Sequence, residues 1–258
     1  MAVDAWEYNY IQRKTLLLTG IDLNDYKAPQ MQRRLQVYLN RSGYPNWPRF
    51  FQALQRDAAA LNQFKNYLTI NVSSFFRDPE KYRHLQTIIL PEILRHRSSL
   101  RVWSAGCSHG QEAYSVAILL AEATSSSTKH YILATDIDTS ALERGRAGGP
   151  YLADELVHIP PLLRQHYFNS QPSGYQVNDS LRRSVIFRQH NLLADPFTGS
   201  FDLIICRNVV IYFEAAAKEK LYERFGKALR PGGVLFVGGT EIVSRACLLY
   251  TSPSPRDS

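Results

Sequence analysis

Cysteine is scarce in this chain of 258 residues: three, at positions 107, 206 and 247. They lie far apart, with no CxxC or Cys/His spacing, so neither a disulfide framework nor a zinc site is expected, and a reducing cytoplasmic setting is. Long apolar runs are also lacking; none approaches the roughly 18 residues needed to span a bilayer. The opening MAVDAWEYNY carries an early acid and no apolar stretch of the kind a secretory leader needs. Two nucleotide-loop signatures are missing. No GxGxxG follows a strand, which argues against a nicotinamide or flavin dinucleotide, and no GK[ST] occurs in the glycine loop, which excludes a P-loop. What is present is an ordinary globular balance, 45% hydrophobic and 21% charged. That is enough for one large or two modest domains and too apolar for a disordered or collagen-like chain.

Charge is unevenly placed. The net charge is +7, yet residues 1–100 hold 14 Lys+Arg against 8 Asp+Glu, and the remaining 158 hold 16 against 15. The basic excess therefore belongs to the first part of the chain, which points to a separate module with an acidic partner. No arginine-rich arm or nucleic-acid motif accompanies it, so nucleic acid is not the expected partner.

That first part reads as helical. Met31, Leu35 and Tyr38/Leu39 recur at i, i+4 and i+7/8, with Arg34 and Arg41 on another face, and Gly43-Tyr44-Pro45 ends the helix. Leu61, Phe64 and Leu68 form a second stripe. Asp78-Pro79 then predicts a helix start, Asp as N-cap and Pro at the first helical position, running through Leu85, Ile88 and Ile89 towards Arg95.

From Leu100 the pattern becomes strand–helix–strand: LRVWSA, QEAYSVAILLAEA, HYILAT, SALERGRAG, FDLIIC, KEKLYERFGKAL, a Pro231-Gly232-Gly233 turn, and VLFVGG. Such alternation predicts an α/β domain on a parallel sheet. Residues 151–190 are less regular and read as an inserted small β-subdomain, with GYQV and SVIFRQH expected to pair around a polar turn.

In a parallel sheet, ligands bind beyond the carboxyl ends of the strands. The turn Gly106-Cys107-Ser108-His109-Gly110 falls there, where glycines admit close approach of a ligand. Asp136, at the end of the second strand, suits the two hydroxyls of a ribose; capping of the next helix is its alternative, and is the expected role of Asp138. Glu112, in the first helical turn, suits a cationic or hydroxyl-bearing ligand or serves as a cap. His109 reads as a solvent-facing loop residue.

The strings LTGIDLNDYK with MQRRL, LTINVSSFFRDPEKY, RVWSAGCSHGQEAYSVA, ATDIDTSALERGRAG, HNLLADPF, FDLIICRNVVIYF and LRPGGVLFVGGTEI together resemble the chemotaxis receptor glutamate methyltransferases of the CheR type, in family order over about residues 8–244. The resemblance implies a helical N-terminal domain (1–80) and a Rossmann-like class I AdoMet-dependent methyltransferase domain (81–244) containing the 151–190 insertion. It implies S-adenosyl-L-methionine (AdoMet) as cofactor, no metal, and transfer of its methyl group to glutamate carboxylates of methyl-accepting chemotaxis receptors. Carried over from the family, the cofactor-contacting positions are Asn71, Ser73, Arg77, Gly106, Glu112, Asp136, Asn191, Leu192, Arg207 and Asn208. Arg77 and Tyr212 stand at the reacting groups, Tyr212 beside the transferring methyl. Ser73 replaces a more usual threonine, and His109 and Gln111 replace the commoner Thr and Glu. Whether Arg77 or Arg207 meets the substrate or the cofactor carboxylate is open at this point. Arg33, Arg34 and Arg41 are expected to dock an acidic receptor helix, and the chain is expected to act as a monomer without inserting into the membrane.

Two rival readings remain: a methyltransferase for another protein or a small molecule, and a non-catalytic AdoMet- or receptor-binding module. After Ser244 the family motifs stop. The Ser/Pro-rich RACLLYTSPSPRDS is expected to be foreign to the fold, leaving the sheet without a terminal strand pair.

Overall fold

The computed structural model describes residues 4–239 and 241. They fall into two units: residues up to Ile70 together with Val210–Lys218, and Asn71–Val209 with the residues from Glu219 onward.

The first unit contains helices α1 (Ala5–Thr19), α2 (Ala28–Ser42), α3 (Trp47–Leu54) and α4 (Ala58–Leu68). Their starts are set by side chains that satisfy otherwise orphaned amides: Asp4 accepts from Glu7, Asn46 from Arg49, and Asp57 from Ala59 and Ala60. Gly43, at φ +75°, ends α2 in the left-handed conformation that glycine tolerates. Met31, Leu35 and Leu39 are the buried stripe of α2, as their spacing predicts. The core is aromatic. Trp47, Phe50, Phe51 and Phe64 are buried, and Phe50 meets Trp47 and Phe64 edge-on at 5.6 and 5.1 Å.

The second unit begins with α5 (Pro79–His84), a π-helical turn (Leu85–Ile89) and α6 (Leu90–Arg95). Pro91 lacks an amide to donate within a regular helix, and the wider turn just before it accommodates that loss. Then follow β1 (Arg101–Ala105), α7 (Gln111–Ala123), β2 (Tyr131–Asp136), α8 (Thr139–Ala147), α9 (Pro161–Tyr167), β3 (Phe168–Gln171), β4 (Gly174–Val177), α10 (Asp179–Arg183), β5 (Val185–Gln189), β6 (Phe201–Cys206), α11 (Ala215–Ala228, counted with this unit from Glu219 onward) and β7 (Leu229–Val237). The main sheet has the order β5-β2-β1-β6-β7 and is parallel throughout. Every residue of β6 is buried, as its continuous apolar run requires. Asp202 is the one acid in that run, and it is satisfied by the Arg101 amide and by Arg97 and Arg230.

Three local expectations are corrected. The insertion pairs β3 with β4 as an antiparallel hairpin, and Val185–Gln189 joins the main sheet as its edge strand beside β2. Alternating burial in VIFRQ let it pass for half of a hairpin. Asp78 makes no N-cap bond; it sits at φ +60° and turns its carboxylate to Arg207, although Pro79 does open α5. Pro231-Gly232-Gly233 is an excursion within β7 rather than a turn before it, since Leu229 pairs with Phe201 and Val234 with Leu203. The expected foreign tail and missing strand pair lie outside the described residues.

Candidate functional site

The strand order reverses about β1, whose neighbours β2 and β6 lead to opposite edges. The crevice of a parallel sheet opens at such a point; the expected cofactor residues lie at the carboxyl ends of β1, β2, β5 and β6 and in the segment before α5. Gly106 follows β1 at φ +83°, and a Cβ there would fall 2.6 Å from Val209 Cγ2, so the loops after β1 and β6 touch through a glycine. Among the described residues, the non-glycine residues with positive φ are Phe76, Asp78, Ser108 and Asn208. All four lie in these loops or in the segment before α5. Backbone held in a sparsely populated region concentrates where a site must be preorganised.

Asp136 ends β2, buried, with one carboxylate oxygen accepting the Ser108 amide at 2.8 Å and the other the Asp138 amide at 3.0 Å. Burial raises its pKa, against these amides, which favour the ionised form. Asp136 therefore braces the glycine turn as well as presenting an acid at the strand end. Asp138 is the helix cap, as expected, accepting from Ala141, and its second oxygen takes the Asn71 side-chain amide at 2.6 Å.

Glu112 lies in the first turn of α7 and accepts from Ser104 Oγ at 2.8 Å. Burial pushes its pKa up to about 7, with Glu241 adding to the rise and Arg207, Ser104 and Arg77 opposing it. The burial penalty outweighs the two arginines and the Ser104 bond. The Arg207 side chain is 2% exposed; it donates to the Arg77 carbonyl at 2.8 Å and pairs with Asp78 at 2.5 Å. Arg207 thus holds the segment before α5, while Arg77 is half-buried and donates to the Val72 carbonyl at 2.8 Å.

Asn191 and Leu192 form a tight turn after β5, closed by the Leu193 amide on Asn191 and by Arg224 on the Leu192 carbonyl. Ser73 is half-buried, its carbonyl 3.5 Å from the Gln111 side-chain amide. Gln111 also donates to Glu155 at 2.6 Å, and Glu155 pairs with Arg144. A glutamate at 111 would face Glu155 as a like charge, whereas glutamine donates to it. His109 is half-exposed, and burial lowers its pKa. Tyr212 belongs to the helical unit, in the 3-10 turn Val210–Tyr212, where its carbonyl accepts the Lys27 amide. Arg33 and Arg41 are exposed. Arg34 is not a free docking cation: it donates to the Tyr67 carbonyl and lies 4.8 Å above the Tyr67 ring, tying α2 to α4. Sequence reasoning missed three residues: Ser104, Glu155 and Glu241. Glu241 had a signal, being the acid of GGTEI just past a strand.

Buried Asp136 at the β2 tip, the glycine turn beside it and buried Glu112 in the first turn of α7 are compatible with a ribose and an ammonium. Among the described residues, no group of three or more His, Cys, Asp or Glu could hold a metal ion. Fold and site together define a Rossmann-like AdoMet-dependent methyltransferase. Residues 71–253 match the family description "CheR methyltransferase, SAM binding domain", and residues 7–69 match "CheR methyltransferase, all-alpha domain". The chain is 41% identical over 91% of its length to the chemotaxis protein methyltransferase of Listeria monocytogenes, covering 89% of that protein. It is 36% identical to chemotaxis protein methyltransferase 2 of Pseudomonas aeruginosa (95% and 90% covered) and 35% identical to the Salmonella typhimurium enzyme (86% and 78%). The chain belongs to the CheR methyltransferase family. Its match runs to residue 253, beyond the last motif quoted above.

Proposed function

We propose that this chain is a protein-glutamate O-methyltransferase that esterifies side-chain carboxylates on the acidic methylation helices of methyl-accepting chemotaxis receptors, acting in the cytoplasm as a monomer. The observation that carries the reading is the 41% identity to a chemotaxis protein methyltransferase over nearly the whole chain, joined to the acid pair Glu112 and Asp136 at the strand ends. No helix among the described residues is long and apolar enough to cross a membrane.

The cofactor supplies a methyl group already activated on a sulfonium. A glutamate carboxylate, with pKa about 4.3, is ionised at neutral pH, so the acceptor needs no general base. The protein's task is alignment and exclusion of water while opposite charges neutralise. Asp136 holds the ribose hydroxyls and Glu112 the ammonium. Arg77 grips a carboxylate through its guanidinium, and Arg207 fixes the segment from which Arg77 projects. Asn71, Ser73, Asn191, Leu192 and Asn208 complete the cofactor's contacts. Arg33 and Arg41 present the basic face that receives the acidic helix.

The test is methyl-labelled AdoMet with an acidic receptor signalling-domain fragment. Label that transfers and is released by mild alkali supports a carboxyl ester. Stable label, or none with a chain that binds AdoMet, refutes it.

A further inference from the structure

Glu241 follows β7, and it takes no part in the cofactor contacts named so far. Only 8% of it is exposed. One carboxylate oxygen accepts the amide of Val209 at 3.1 Å, in the loop after β6, and the other accepts the amide of Gly238 at 2.6 Å, in the loop after β7. Its own amide donates to the Gly238 carbonyl at 3.1 Å. Gly238 leaves room for this arrangement: a Cβ there would lie 2.6 Å from Glu241 Oε2 and 3.3 Å from the Asn208 amide nitrogen. Val209 in turn packs where a Cβ on Gly106 would stand. Glu241, Val209 and Gly106 therefore form a continuous chain of contacts joining the loops after β7, β6 and β1. Between Arg207 and Val209 sits Asn208, at φ +59°, a conformation that a non-glycine residue keeps only when its surroundings fix it.

We propose that Glu241 is a positioning residue of the cofactor site: its carboxylate clamps the Val209 and Gly238 amides and thereby fixes the loop that presents Arg207 and Asn208. It touches no reacting atom and acts through that loop. Two buried amides shared by one carboxylate require an acceptor on both sides, which an ionised acid supplies and an amide side chain does not. The clamp has an electrostatic consequence. Glu112 faces Ser104 on β1, Arg207 and Cys206 at the end of β6, Cys107 in the glycine turn, Tyr82 on α5, Arg77 before α5, and Glu241. Glu241 is the carboxylate in this set that raises the pKa of Glu112. Neutralising Glu241 lets Glu112 ionise at lower pH, and ionised Glu112 is the form that holds an ammonium.

The inference rests on the cofactor reading above. The experiment is calorimetric titration of S-adenosyl-L-homocysteine, which keeps the ammonium but transfers nothing, into the full chain between about pH 6 and pH 8.5. Thermal unfolding is measured alongside. Glu241→Gln is expected to weaken binding about tenfold, the scale of one lost charge-assisted bond, and to move the pH midpoint of binding downward. Glu241→Asp keeps the charge and is expected to keep the wild-type midpoint while losing affinity, because the shorter side chain cannot reach both amides. Gly238→Ala leaves the carboxylate in the sequence but displaces it, and is expected to reproduce the loss of affinity; it carries the test if Glu241→Gln fails to fold. A lowered melting temperature with affinity within about twofold of wild type and an unmoved midpoint overturns the proposal and leaves Glu241 a merely structural residue. A wild-type chain that does not bind the probe overturns the cofactor reading itself, a result distinct from unchanged variants of a chain that binds.

Discussion

Glu112→Gln should make the cofactor-free protein more stable at alkaline pH while removing its ability to bind cofactor. An unfolded glutamate loses its proton near 4.5, and the folded Glu112 at about 7. Between these values unfolding releases a proton, so the stability present below pH 4.5 is lost as pH rises to about 7 and is constant above it. At 1.36 kcal/mol per pKa unit the full loss is roughly 3 kcal/mol. Glu112 retains some exposure, so the expected loss is about 1–3 kcal/mol. Glutamine carries no titrating proton and keeps an oxygen to accept from Ser104. The variant should therefore melt about 3–10 °C above wild type at alkaline pH, with the two converging in acid. Urea or thermal unfolding of both proteins across this window is the assay. S-adenosyl-L-homocysteine should then raise the melting temperature of wild type and leave the variant unmoved. Parallel stability–pH curves for the two would refute the reasoning, since they would mean that Glu112 is an ordinary solvated acid.

Further outcomes follow from the same geometry. Asp136→Ala should abolish measurable cofactor binding and also cost about 1–3 kcal/mol of stability, because the Ser108 and Asp138 amides lose their acceptor; denaturant titration with calorimetry checks both. Arg207→Ala should weaken cofactor binding and lower the melting temperature by freeing the Arg77–Asp78 segment, whereas Arg77→Ala should weaken the ligand complex with little change in melting. Charge reversal at Arg33 and Arg41 should raise KM for an acidic receptor fragment and flatten its salt dependence. Arg34→Ala should instead destabilise the helical unit by about 1–2 kcal/mol, through the lost bond and ring contact with Tyr67.

The sequence was most legible where local chemistry and position agree. Phe201–Cys206 read correctly because a short continuous apolar run suits a strand buried on both faces, and Gln111–Ala123 because an alanine- and leucine-rich run of 13 residues is too long for one. Asp138 read correctly as a cap because its partner is three residues away. Legibility failed where a partner is distant in sequence. Asp78 has the right residue after it for a cap, but Arg207, 129 positions on, takes its carboxylate. Arg34 shows the helical spacing of a surface cation, yet Tyr67 claims it from another helix. VIFRQ has the alternation of a hairpin strand, and only the free edge of β2 makes it part of the main sheet. The glycine turn and both acids were visible as residues. That Arg207 is spent within the protein was not, because it depends on which guanidinium the fold buries.

The central claim is that the acceptor is a glutamate side chain and the product an ester. Tandem mass spectrometry of an acidic receptor fragment, after incubation with this chain and AdoMet, tests it most directly. A single methyl's mass gain, localised to glutamate residues and erased by mild alkali, is expected. Methyl groups on lysine, on the backbone or on an alkali-stable atom would contradict it.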